Sequence, residues 1–222
     1  MNERWVRPVD IYCERLDPSF WAEPLNAVTN FAFLVAAGVG VAAARGTDRG
    51  VILLAALTAM IGIGSFLFHT FATAWAALAD VVPIALFIVA CLGLILERLI
   101  GLGRAWAVGL ALLFVPVSAL LVGALRPLAA ATIGSSIAYL PALLALLSCT
   151  ALLWQRRHPA APTLLHTALL FAASLTFRTI DQPLCGVWPF GTHWLWHLLN
   201  AAVLARLMRT VAAFAPVDYS SK

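Results

Sequence analysis

The sequence predicts an all-α membrane protein: a bundle of seven transmembrane helices with an extracytoplasmic N-terminus and a cytoplasmic C-terminus. Three observations carry this. Of the 222 residues, 63% are hydrophobic and only 11% charged, with a mean hydropathy of +0.95, whereas a soluble domain carries roughly a quarter of its residues as charges. The apolar residues fall into runs close to the ~20 residues needed to cross a bilayer. The polar gaps between the runs are too short for a second domain, so residues 1–222 form one transmembrane domain. Gly and Pro are neither periodic nor abundant enough for collagen or disorder.

The elements follow in order. Residues 1–23 carry eight charges and no apolar centre, so they are a polar N-terminal segment and not a signal peptide, and are expected to remain in the mature protein. Apolar runs bounded by charge, Gly or Pro then place helices at about 24–44, 51–71, 78–97, 105–124, 136–154, 163–180 and 192–211. Pro83, Pro116 and Pro141 fall inside the third, fourth and fifth, which membrane helices tolerate where neighbours satisfy the freed carbonyls.

Orientation comes from the cations. Arg4, Arg7, Arg15, Arg126 and Arg178 lie with the N-terminal side and the even-numbered loops. Arg45, Arg49, Arg98, Arg104, Arg156, Arg157, Arg206, Arg209 and Lys222 lie on the other, which is therefore the cytoplasmic side. The net charge of +4 is spread one or two residues at a time between apolar runs, a pattern of loop anchoring and not of nucleic-acid binding. Arg is used almost to the exclusion of Lys, alongside an excess of Ala and Leu, which suggests a GC-rich bacterial genome and hence a bacterial cytoplasmic membrane.

Ionisable groups inside membrane helices are costly and mark functional sites. Ser65 and His69 share a face at the end of the second helix, Asp80 opens the third, and His193 and His197 stand one turn apart at the start of the seventh. By the assigned topology all lie toward the outer ends of their helices. Three His from two helices match the three-protein-ligand pattern of a catalytic zinc with one open position. The pair lacks the Glu of the soluble His-Glu-x-x-His motif, which leaves Asp80 as the candidate base. His158 sits in a basic loop and His166 near a cytoplasmic helix end, where both are expected to be solvated or snorkelling.

The N-terminal segment holds Glu3, Asp10, Glu14, Asp17 and Glu23, half of the carboxylates in the chain. Clustered acids before a helix suit a hard cation such as calcium, and Tyr12, Cys13, Phe20 and Trp21 among them argue against a free tail. Asn26 and Asn30, one turn apart, read as interhelical glue. Cys91 and Cys149 lie in apolar runs as inert core residues. Cys13 and Cys185 both face outward, where an oxidising compartment allows a disulfide.

Over nearly its whole length the sequence resembles the alkaline ceramidase family, within a wider superfamily of seven-helix membrane hydrolases that includes adiponectin-receptor-like proteins. The resemblance rests on Tyr12-Cys13-Glu14, Ala22-Glu23-x-x-Asn26, Gly64-Ser65-x-x-x-His69 followed by Asp80, Arg178-x-x-Asp181-x-x-x-Cys185, and His193-x-x-x-His197. It implies zinc on His69, His193 and His197, with Ser65 and Asp80 contacting its water. It implies cleavage of a membrane lipid, ceramide, to a sphingoid base and a fatty acid, and a Cys13–Cys185 disulfide. It also implies a calcium site drawing on Asp10, Tyr12, Glu14, Asp17 and Glu23, although Ile11 and Leu16 stand where related enzymes have Asp and Asn. Hydrolysis of another lipid amide or ester is the alternative within enzymes. A receptor or scaffold with structural zinc is the alternative outside them; a proton or ion transporter is disfavoured because the polar residues gather at one level. No protein partner is legible.

Overall fold

The computed structural model describes residues 3–214; Lys222, counted above with the cytoplasmic side, lies outside them. Those residues form α1 (Glu3–Val6), α2 (Pro24–Thr29), α3 (Phe31–Ala44), α4 (Arg49–Phe71), α5 (Ala74–Arg98), α6 (Arg104–Ile133), α7 (Leu140–Gln155), α8 (Ala161–Leu184) and α9 (His193–Ala213), with a 3₁₀ helix over Gly134–Tyr139 leading into α7. Among the described residues the fold is all-helical, without strands. Six stretches are long and apolar enough to cross a membrane: Pro24–Ala44, Arg49–Phe71, Ala74–Arg98, Arg104–Ala129, Gly134–Gln155 and Ala161–Leu184.

Helix α9 has 21 residues but is not among the six, because it carries His193, His197, Asn200, Arg206 and Arg209. Its surroundings account for that composition. It packs against α3, α4, α5 and α8, and a helix jacketed by protein need not be apolar all round. At the other extreme, α6 is nearly all exposed, with Trp106, Leu120 and Leu128 pointing outward. Between them, Phe33, Leu54, Ile61, Leu153, Leu164 and Met208 are fully buried, and the free thiols of Cys91 and Cys149 sit in the same core.

Three departures from the sequence expectation have local causes. The first run is interrupted at Asn30, whose backbone stays helical (φ −63°, ψ −19°). There the Thr29 hydroxyl bonds the Leu25 and Asn26 carbonyls and the Asn30 amide bonds Asn26, so side chains compete with the backbone ladder. The fourth run, expected to stop near 124, continues as helix through Pro127 and ends before Gly134, whose φ of +51° breaks it. Pro141 lies in the first turn of α7 rather than within it, where its missing N–H costs nothing.

Each end of the bundle is fastened by polar contacts. At one, Asp48 caps α4 by accepting from the Val51 N–H (3.1 Å) and takes two hydrogen bonds from Arg98 at the end of α5 (2.6 and 2.8 Å), while Arg98 also reaches the Val211 carbonyl of α9. At the other, Pro8 pairs with Thr73 in the α4–α5 turn, where the Val9 N–H donates to Ala72 O (2.8 Å) and the Ala74 N–H to Arg7 O (3.0 Å). The N-terminal segment is thereby laid across the helix ends.

The hydrogen bonds from Arg98 hold the Asp48 carboxyl below the usual carboxylate range. A depressed folded-state pKa stabilises above the unfolded value, so this contribution is present above about pH 4 and is lost as the pH falls further. Asp48→Ala removes cap and ion pair together, and a loss of about 2 kcal/mol is expected as a lower thermal midpoint in detergent at neutral pH. Asp48→Asn, which can still cap, should lose less. Equal midpoints for the alanine variant and the parent at pH 7 would refute the clamp.

Candidate metal centre

The end of α4, the start of α9 and the N-terminal segment meet at one place. Helix α4 supplies His69 and α9 supplies His193 and His197. All three are buried, and one donor nitrogen from each lies within 4.8 Å of the others. Every ring keeps one buried nitrogen without a hydrogen-bond partner: Nε2 of His69, Nδ1 of His193 and Nε2 of His197. An unsatisfied buried polar group costs about 1–3 kcal/mol, and three in one cluster are relieved together by a shared cation. The donor set therefore fits a metal ion that accepts imidazole nitrogen.

Two of the remaining nitrogens, on His69 and His197, are held by neighbours that also fix the tautomers. Glu23 Oε2 accepts from His69 Nδ1 at 2.5 Å. Thr29 Oγ1 lies 2.9 Å from His197 Nδ1, and because its own proton goes to a backbone carbonyl, the oxygen accepts from that ring. Both bonds place the ring proton on Nδ1 and leave the Nε2 lone pair free. Burial pushes Glu23 upward, but hydrogen bonds from His69 and Arg15 outweigh it and hold the carboxyl below its ordinary range. Tyr12 stacks on His193 with ring centroids 3.7 Å apart.

The first turn of α9 is set by Asp181. Its Oδ1 accepts from the Thr192 and His193 N–H groups (2.7 and 2.9 Å) and its Oδ2 from Cys13 N–H (3.1 Å), placing a carboxylate at the positive end of the helix. The chain reaches this cap through Gly191, with φ of +61°, where a Cβ would overlap Asp181 Oδ1. Beside it, Cys13 and Cys185 form a disulfide with a Cα–Cα distance of 5.2 Å, joining the N-terminal segment to the α8–α9 connection.

Asp80 and Ser65 face each other across α5 and α4. Gly64 sets that approach, because a Cβ there would overlap the Ala79 carbonyl. Ser65 is buried and within side-chain hydrogen-bonding reach of Asp80, which is half-buried and lies in the fields of His69 and Arg178. An apolar cavity runs alongside, lined by Ile61, Phe87, Tyr139, Trp196 and Asn200 among others. The Arg178 guanidinium stands 5.3 Å from the Tyr139 ring and 5.6 Å from that of Trp196, so a fixed cation borders this cavity.

The five side chains expected at a calcium site are dispersed. Asp10 is exposed, and Asp17, also exposed, accepts from the Ser19 N–H. Tyr12 takes a hydrogen bond from Arg178. Both Glu14 oxygens accept backbone N–H groups at the start of α2, from Leu25 (2.6 Å) and Asn26 (2.8 Å), and burial raises its pKa despite them. Glu23 is shared between His69 and Arg15. Among the described residues, the only cluster of three or more His, Cys, Asp or Glu donors is the histidine trio, so these five side chains form no such cluster. Asn26 and Asn30 bond within their own segment, to Glu23 and to the Asn26 carbonyl, and not across the bundle. His158 lies against Phe214 with the two rings tilted, His166 is exposed, and neither joins the trio.

Thr29, Arg15, Asp181 and Arg178 acquire roles that sequence spacing did not give them. For Thr29 a signal existed: Asn26, Thr29 and Asn30 form a polar stripe at the head of an otherwise apolar helix. Arg178 and Asp181 stood out only as members of the motif that carries the resemblance, since the partners of Asp181 depend on where the loop to α9 folds.

Compared with known protein families, residues 12–217 match the family described as Ceramidase. No curated protein matches the chain.

Gly64→Ala forces α4 from α5, and overpacking of about 1–3 kcal/mol is expected as a lower thermal midpoint. Gly38→Ala, with open space around it, is the control and should not fall. A Gly64→Ala midpoint matching that control would remove the close approach. Non-reducing digestion should recover Cys13 and Cys185 in one linked peptide with Cys91 and Cys149 free; thiols at positions 13 and 185 in protein from an oxidising compartment would contradict the bridge.

Proposed function

The chain belongs to the ceramidase family, and from that membership we propose that it is a zinc-dependent intramembrane amide hydrolase that cleaves ceramide to a sphingoid base and a free fatty acid. One observation carries the zinc: three buried histidines gathered in a cluster, each with a nitrogen that has no partner, two of them oriented by a neighbour on the other nitrogen. The trio also favours catalysis over a structural site. A closed zinc site takes four protein ligands, whereas a catalytic one takes three.

In this reading the domain is one seven-helix unit, with His193–Ala213 as the seventh crossing. The arginine distribution supports an outward N-terminus, and the site then opens toward the extracytoplasmic face of a bacterial cytoplasmic membrane.

His69, His193 and His197 would hold zinc, His69 and His197 through the Nε2 that Glu23 and Thr29 leave free. When bound, zinc supplies Lewis acidity that activates water near neutral pH and polarises an amide carbonyl. Asp80 accepts the proton of the attacking water on its carboxylate and returns it to the departing nitrogen, so that one water and one amide yield one acid and one amine. The Ser65 hydroxyl orients the Asp80 carboxylate and, once that carboxyl has taken up the proton, turns its single O–H to the carbonyl oxygen as charge develops there. Glu23 and Thr29 keep the two rings in the tautomer that presents Nε2. The apolar cavity beside Trp196 receives hydrocarbon and excludes water.

Metal analysis of the purified protein should give one zinc per chain, with loss in His69→Ala, His193→Ala and His197→Ala. Asp80→Asn should retain zinc and fold while hydrolysis of N-acyl sphingoid bases falls by about 10²–10⁴-fold. Ser65→Ala should show a smaller deficit. An Asp80→Asn protein with zinc bound and the parent rate would defeat the proposal. A fourth protein ligand in a metal-loaded structure, with no hydrolysis of any lipid amide or ester, would favour the structural-zinc reading.

A further inference from the structure

The five side chains expected at a calcium site do not gather, yet oxygen atoms of the segment do converge on a positive charge. That charge is Arg15. Its side chain is only 5% exposed and every nitrogen of its guanidinium is engaged. Nε donates to Glu23 Oε1 at 2.6 Å, Nη1 to the Asp17 and Ser19 carbonyls at 3.2 and 3.4 Å, and Nη2 to the His69 carbonyl at 2.9 Å.

One carboxylate and three carbonyls, drawn from the segment, the residue preceding α2 and the end of α4, make an oxygen-only set of the kind a hard cation takes. A guanidinium meets the same set with fixed, forked donors. We infer that Arg15 is the resident cation of this segment, closing it over the metal centre in place of calcium.

The geometry gives this cation two tasks. It neutralises Glu23, whose other oxygen orients His69, so Arg15 is a positioning residue acting on the metal ligand through one carboxylate. It also satisfies the His69 carbonyl, one of the last four of α4, which have no partner within a helix and where a positive charge is favoured. A calcium ion bound to the same oxygens would displace the guanidinium or sit beside it, with two positive charges sharing one carboxylate. The segment is therefore complete without added metal.

This inference rests on the reading of His69 as a zinc ligand, and its test separates the two. In wild-type protein with the disulfide intact, calcium at about 1 mM, the range of weak extracellular sites, should neither raise the thermal midpoint nor show binding by calorimetry. Arg15→Ala should weaken zinc binding by about 10–100-fold, the range for a lost outer partner of a metal ligand, measured by competition with a chromophoric chelator. Arg15→Lys, which keeps the charge but not the fork, should fall between. If Arg15→Ala does not fold, the lysine variant and the wild-type calcium arm still decide. A calcium-dependent midpoint or stoichiometric calcium binding in wild type overturns the inference, as does a folded Arg15→Ala or Arg15→Lys protein with wild-type zinc affinity. Absence of zinc from the wild type would instead sink the zinc reading and leave the calcium arm interpretable.

Discussion

Three imidazoles buried together with one bare nitrogen each impose the constraint around which this end of the molecule is arranged. Desolvation and mutual crowding work against such a cluster, so its geometry has to be over-determined by neighbours. The contacts divide that work. Glu23, just before α2, and Thr29, at its end, fix two rings, Tyr12 stacks on the third, and Asp181 starts the helix that carries two of them. None of these groups needs to touch a ligand to decide where the ligand goes.

The same economy runs through the bundle. Membrane helices satisfy their own backbone, which frees side-chain hydrogen bonds for fastening ends and aiming rings. The lipid-facing helix α6 has little polar content and many exposed apolar side chains, whereas α9, ringed by other helices, concentrates His, Asn, Thr and Arg. Polarity within this protein thus tracks distance from lipid. The least hydrophobic of the long helices is the one that carries most of the chemistry.

Much of this was legible in the sequence, and the illegible part has a physical pattern. Apolar run length marks the helices because hydrocarbon thickness is a one-dimensional ruler. The pair His193 and His197, and Ser65 with His69, are visible because helical periodicity converts spacing into a shared face. What spacing cannot convey is which loop atoms a side chain meets. Arg15 reads as one more charge in a polar tail, Asp181 as one more acid near a helix end, and the acids around Arg15 as a possible calcium cup, until the chain path shows the guanidinium in their midst. Pro127 misleads in the opposite sense, since a residue that usually ends a helix lies inside one at the bundle's periphery.

The bridge between Cys13 and Cys185 spans 172 positions, and the histidines it lies beside come from positions 69, 193 and 197. Such a centre has no partial form. While the chain is being made, His69 stands alone until α9 has been synthesised, and the disulfide waits on Cys185. A chain halted anywhere before the final helix would be a set of membrane spans with no chemistry. Under the proposed function, no lipid-cleaving centre exists until synthesis has passed α9.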